Sequence, residues 1–409
     1  MLPRDDVRYR WIILIVMWGS QFVLALASYG WGPLAPFLKI VMSLNSTQVG
    51  TLASTFYFAS AMSALPAGIL VDRVGVKRGL LTWLGLTGFP LGILTLVHDI
   101  YPLFLTMAAF SGLGYGFGNP VASKGIYIWF DKKTRGTAFG IRFSAVAVGG
   151  AAAGLLLVSI AESSGPFAAL RTVFGMIMVM LIGAALLYRS PAGMENRSTV
   201  VVSESGRKTE SRFTGLFRNK ALVTVYSIAG VFGVAQGVVV TFFVLYLHEK
   251  LNYSVLGAGS LFTVMMVSGA AGRIFWGVVS DRMFRGDRKP VLIIISVLAV
   301  VSVTVFNFWD SFWPHWLFVP VVIAVGASSW GWNGITFLLV AEMGSSTETA
   351  TIIGLATTFS WIGLSLGPVA FGSITDHFGY FPAWMSLAVL CIFAVLLSFL
   401  TPGLETKKQ

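Results

Sequence analysis

Three basic residues, Lys124, Arg142 and Arg273, stand inside long stretches that carry no other charge. Read as helices, those stretches place Lys124 roughly 10 Å, Arg142 about 9 Å and Arg273 about 12 Å from their nearest polar ends. A charge that deep in an apolar medium costs on the order of 3 kcal/mol even on lenient insertion scales, so it must face a partner or a cavity. The 17 Asp and Glu residues offer no partner at that depth. Asp72, Asp131, Asp281 and Glu342 fall at one set of ends, and Asp99, Glu162, Glu249, Asp310 and Asp376 at the other. Deep cations without fixed acids are suited to hold a carboxylate or similar oxyanion, which a guanidinium can grip with two parallel hydrogen bonds. Arg142 has two other uses: to snorkel toward the nearer end, or to pair with Asp131 or Glu342. Lys124 can snorkel likewise.

Other chemistries find no residues. His98, His248, His315 and His377 lie singly near the ends of apolar runs, and no pair shows metal spacing. Cys391 is the single cysteine and reads as a small packing residue. There is no Ser/His/Asp constellation and no Walker motif. The GYGFG stretch at 114–118 follows no strand and reads as close helix packing rather than a nucleotide loop. Neither a metal, nor a cofactor, nor an enzyme activity is expected.

The elements that must position the three cations are long apolar runs. Hydrophobic residues make up 56% of the 409 and charged residues 11%, against about 25% charged in soluble domains. Twelve runs near the roughly 20 residues needed to cross a bilayer fall at about 11–36, 47–71, 79–97, 102–130, 137–161, 167–188, 221–247, 255–280, 290–309, 316–341, 349–374 and 381–401. Alternating ten-residue segments of a β-barrel are absent. The start, MLPRDDVRYR, leads straight into the first run without a cleavage site and reads as a retained anchor.

Of 28 Lys and Arg, 22 fall in the two termini and the even-to-odd loops, whereas only Lys39, Arg171 and Lys250 fall on the opposite side. That bias places both termini in the cytoplasm. The net charge of +11 is thereby topological, and no nucleic-acid partner is expected. The polar stretch 189–220 divides the runs six and six and reads as a cytoplasmic linker, mobile or partly helical, between bundles 1–188 and 221–409. The halves repeat. LNSTQVG at 44–50 returns as LNYSVLG at 251–257, and Gly112, Asn119, Gly140 and Gly149 return 214 positions later as Gly326, Asn333, Gly354 and Gly363. Such duplication is a mark of carriers that rock two bundles about a central site.

The stretch Gly68-x-x-x-Asp72-Arg73-x-Gly75-x-Lys77-Arg78 resembles the loop 2–3 signature of the major facilitator superfamily, and Gly277, Asp281 and Arg282 repeat its core. The segment 119–142 is similar to the anion-transporting branches, among them oxalate/formate, monocarboxylate and nitrate or cyanate carriers. The resemblance implies an all-α membrane protein of twelve transmembrane helices, in two pseudo-symmetric six-helix bundles around a central cavity. It implies gating roles for Gly68, Asp72, Arg73, Gly277, Asp281 and Arg282. The glycines would admit close helix approach, and Asp72 would meet the start of the eleventh helix and nearby arginines. It also implies that helices 1, 4, 7 and 10 line the cavity, through Gln21, Tyr29, Asn119, Tyr127, Gln236 and Asn333. Arg273 is similar in position to a substrate-binding arginine of the anion carriers.

The expected function is secondary active transport of a small organic anion by alternating access, in the inner membrane, surrounded by lipid and as a monomer. A second deep cation on the eleventh run is missing, where the sequence reads LATTFSWIGLSLGP. That favours a monocarboxylate, unless Lys124 supplies the second charge. No membrane carboxylate is available for a coupled proton. Coupling would use the substrate's own proton, Lys124, or a counter-anion. An efflux carrier for drugs or neutral solutes is the alternative, although the fifth run lacks a Gly-Pro pair. A non-transporting membrane receptor is a third class.

Overall fold

A computed structural model of the chain describes residues 4–96, 100–131, 134–189, 219–310, 313–343 and 349–401. Among these, every regular element is a helix: α1 Arg4–Tyr29, α2 Trp31–Val41, α3 Ser46–Val74, α4 Val76–Leu94, α5 Tyr101–Tyr115, α6 Gly118–Trp129, α7 Arg135–Ala152, α8 Val158–Ser164 and α9 Pro166–Leu187 in the first half. The second half holds α10 Lys220–Glu249, α11 Val255–Met283, α12 Arg288–Asn307, α13 His315–Met343, α14 Thr349–Phe378 and α15 Tyr380–Leu400. The linker expected to be mobile or partly helical lies almost wholly outside the described residues.

Ten of these segments are long and apolar enough, by length and composition, to cross a membrane unbroken. The third span, α4, and the fourth, which breaks at Gly116–Phe117 into α5 and α6, complete twelve. Large apolar side chains are exposed on their outer faces, among them Leu65, Leu186 and Ile274, as lipid solvation requires. Between α7 and α8 the fifth span passes through a π-helical turn at Ala153–Leu157. Gly75 and Gly379 each sit at φ 84°, a conformation glycine takes without Cβ strain. Each lets one long helix turn directly into the next.

The contacts group into two units, Met1–Leu44 with Thr55–Val201, and Asn45–Ser54 with Val202–Gln409. In the first, α1 packs on α7 and α4 on α5 and α9. In the second, α10 packs on α14, α11 on α13 and α12 on α15. This second unit takes in the start of α3. There the Asp376 carboxylate accepts from the Ser46 amide at 2.8 Å and the Thr47 amide at 2.7 Å.

The duplicated glycines do duplicated work. A Cβ on Gly112 would lie 2.2 Å from the Phe56 carbonyl oxygen, and one on Gly326 would lie 2.3 Å from that of Met265. A Cβ on Gly149 would meet the Phe22 oxygen at 2.6 Å, and one on Gly363 the Gly230 oxygen at 2.1 Å. Such spacings admit only a hydrogen, so backbones cross at matching places in both units. Gly140 and Gly354 match as well: among the described residues a methyl added at either would have no neighbour within 4 Å. The signature glycines stand in more open surroundings. Gly68 has only Pro120 Cγ at 3.9 Å, and Gly277 has nothing within 4 Å. No described helix crowds either position, and the tight backbone approaches among the described residues lie at the repeated glycines.

Candidate functional site

Five helices of the first unit bring polar side chains to one place. Arg142 lies on the second turn of α7, the helix packed on α1, and is 1% exposed. Its Nη2 donates to Gln21 Oε1 on α1 and, at 3.3 Å, to the Gly118 carbonyl that opens α6. Its Nη1 donates to Asn119 Oδ1 at 3.2 Å. The Phe143 ring lies 4.6 Å from the guanidinium carbon. Every one of these partners is electrically neutral. Arg142 Nε is buried and meets no acceptor. Among the described residues no carboxylate pairs with it: Asp131 lies 3.8 Å from Arg10, and Glu342 pairs with Arg288 at 3.2 Å. The two acids considered as alternatives from sequence are therefore engaged elsewhere. Asn119 is itself exposed.

The sequence named Gln21, Tyr29 and Asn119 among the cavity-lining residues, and the structure gathers Gln21 and Asn119 onto Arg142. Tyr29 is 9% exposed and lies close to Tyr57 and Tyr115. Tyr115, Tyr57 and Ser28 belong to the same cluster and were not foreseen. The Tyr115 ring, on α5, lies 5.4 Å from that of Phe56, which lies 5.5 Å from the Tyr57 ring, and the Tyr57 hydroxyl donates to the Ser28 carbonyl at 3.3 Å. One spacing held a usable signal. Ser28 stands seven residues after Gln21 on α1 and so shares its helical face.

The second unit assembles a smaller set. Arg273 on α11 is half-buried, and its Nε donates to the Trp330 carbonyl at 3.3 Å. Asn333 on α13 donates through Nδ2 to that same carbonyl at 3.2 Å. Trp330 follows Gly326, whose missing side chain lets α13 lie against α11. Arg273 and Asn333 thus meet at one oxygen. Gln236, half-buried on α10, is not joined to them.

The remaining residues singled out by sequence lie elsewhere. Lys124 Nζ forms an ion pair with Asp72 Oδ1 at 2.9 Å and also donates to the carbonyls of Val71 and Asp72. It thereby caps the end of α3 and is paired, which corrects the count of three deep cations without a protein acid. Tyr127 is 64% exposed, with the Arg135 guanidinium 3.9 Å above its ring, and takes no part in the Arg142 cluster. Asp281 pairs with Arg288 at the start of α12. Each signature aspartate thus finds its described cation within its own unit, whereas the expected partner of Asp72, the start of the eleventh span at 344–351, lies outside the residues whose side chains are described. Arg73 and Arg282 are exposed.

Comparison with known proteins agrees with this architecture. The family model described as Major Facilitator Superfamily matches residues 17–368. A probable sulfoacetate transporter of Cupriavidus necator is 26% identical, covering 98% of this chain and 95% of its own length. A probable galactarate/D-glucarate transporter of Bacillus subtilis is 25% identical over 88% of this chain and 84% of its own. Among solved structures, a bacterial homolog of the human lysosomal transporter Spinster superposes with a TM-score of 0.81 at 16% identity, covering 96% of each chain.

Proposed function

Because the chain belongs to the Major Facilitator Superfamily and is a membrane transporter rather than an enzyme, we propose that its cargo is a small organic anion gripped first by Arg142. The observation that carries this reading is a guanidinium buried among neutral oxygens with its Nε left over. A buried charge that protein acids do not neutralise is completed most favourably by an anion from outside the protein. Arg273, the deep arginine of the second unit, is a further residue suited to bind an anion. Relatives named for sulfoacetate and for galactarate or D-glucarate support a carboxylate-bearing cargo. A monocarboxylate is the first choice, because Lys124 is drawn into its pair with Asp72.

Transport proceeds by alternating access, with halves 1–188 and 221–409 as the moving bodies and the linker 189–220 joining them. The membrane is the inner membrane, and the basic ends of the spans, with both termini, face the cytoplasm. Arg73, Arg282, Asp72 and Asp281 act at those ends. Efflux of cationic drugs fits poorly with a buried cation at the site. The deciding experiment is uptake of radiolabelled formate, lactate, sulfoacetate, glucarate and a neutral sugar into proteoliposomes, with and without a pH gradient. Uptake of one or more anions that Arg142→Gln abolishes is expected. Uptake of the sugar alone would overturn the proposal.

A further inference from the structure

The shortest hydrogen bond Arg142 makes is to Gln21 Oε1, and Gln21 is 3% exposed. A guanidinium only donates, so it fixes the amide with its oxygen inward, and the amide nitrogen remains to donate. Gln21 therefore holds the cation without bringing charge. Glutamate has the same length and one nitrogen fewer. At this position it would give Arg142 a carboxylate at hydrogen-bonding distance in a place closed to water, where Coulomb attraction is least screened. The internal pair would satisfy the cation that a solute otherwise completes.

We propose that Gln21 sets the charge of the site: it is a positioning residue that holds Arg142 in place while leaving it un-neutralised, and a carboxylate at this one position would close the chain to anions. This rests on the reading of Arg142 as the cargo's anchor, and it assigns Gln21 a role through the arginine in place of direct contact with cargo. Asn119 is less able to fill the role. It is exposed, and its bond to Nη1 is the longer of the two amide contacts.

The test compares Gln21→Glu with Gln21→Met, which keeps the length and removes both polar atoms. Binding and uptake of the anion found active on the wild-type chain are measured in proteoliposomes, alongside thermal unfolding in detergent. Gln21→Glu is expected to raise KM at least a hundredfold while unfolding no earlier than wild type. Gln21→Met is expected to raise it tenfold or less. Transport by Gln21→Glu should return in acid, where a proton on the new carboxyl restores a neutral partner, whereas wild type gains nothing from the same change. Wild-type KM in Gln21→Glu would overturn the inference, as would equal losses in the two variants without acid recovery. Failure of the wild-type chain to move any anion would instead overturn the reading of the cargo, so the two failures are distinguishable.

Discussion

In the first unit the deep arginine is 1% exposed, held by two amide oxygens and a carbonyl. In the second, the deep arginine is half-buried and shares one carbonyl with an asparagine. The asparagines, Asn119 and Asn333, stand at matching repeat positions, and so do the glycines that let the helices cross. The arginines do not match: Arg142 lies on the fifth span and Arg273 on the eighth. Duplication has preserved the packing of the two units and left their charge to diverge. Packing is constrained everywhere along a crossing, since an added methyl must displace backbone. A charge is needed only where it meets cargo, so each unit can supply it from a different helix.

That contrast can be broken most sharply at Arg142. Replacing it with Gln should cut kcat/KM for the anion by about a hundredfold or more, because a desolvated charge is lost from the contact. Arg142→Lys should not rescue, since an ammonium lacks the planar fork. A smaller or equal loss relative to Arg273→Gln would show that the two units carry the charge alike.

The shared packing is tested by methyl groups. Gly363→Ala and Gly149→Ala should each destabilise by about 1–3 kcal/mol, as overpacked cores do, with Gly363 the worse for its shorter clearance. Gly140→Ala and Gly354→Ala should instead raise stability by up to about 1 kcal/mol through helix propensity. Thermal unfolding in a fixed detergent reads all four, and destabilisation at the open pair would sink the equivalence.

Arg273→Gln should cost roughly tenfold in kcat/KM, the size of one exposed-side charged hydrogen bond. The smallest change is expected for Lys124→Gln. It unpairs Asp72 at the end of α3 and should alter turnover a few-fold at unchanged KM. A tenfold rise in KM there would return Lys124 to the list of cargo contacts.

Much of the fold was legible because lipid demands long apolar runs, and these can be read without knowing any neighbour. The two spans that evade a simple hydropathy test were also readable: α4 begins with Lys77 and Arg78 inside its first turn, and GYGFG breaks the fourth span where Gly116 approaches Ser60 and Ser63. The Arg142 cluster was half legible. Its amides stand on lining helices at recognisable depth, but Tyr115 lay in a stretch that reads as packing alone. The pairing of Lys124 with Asp72 joins residues 52 positions apart. Depth along a helix says how far a side chain lies from an end, whereas its azimuth and reach decide whom it meets. For the same reason the motif at Gly68 and Gly277 records where glycine stands and leaves open which neighbour comes near.

The closure of Arg142 has a practical corollary. Dicarbonyl reagents such as phenylglyoxal modify guanidinium groups only where they can touch them, and Arg142 is only 1% exposed. Adduct formation at Arg142 should therefore wait on brief excursions that uncover it, while Arg73 and Arg282 react at once. Mass spectrometry of the modified peptide would turn that delay into a clock for opening, and a bound anion should slow it.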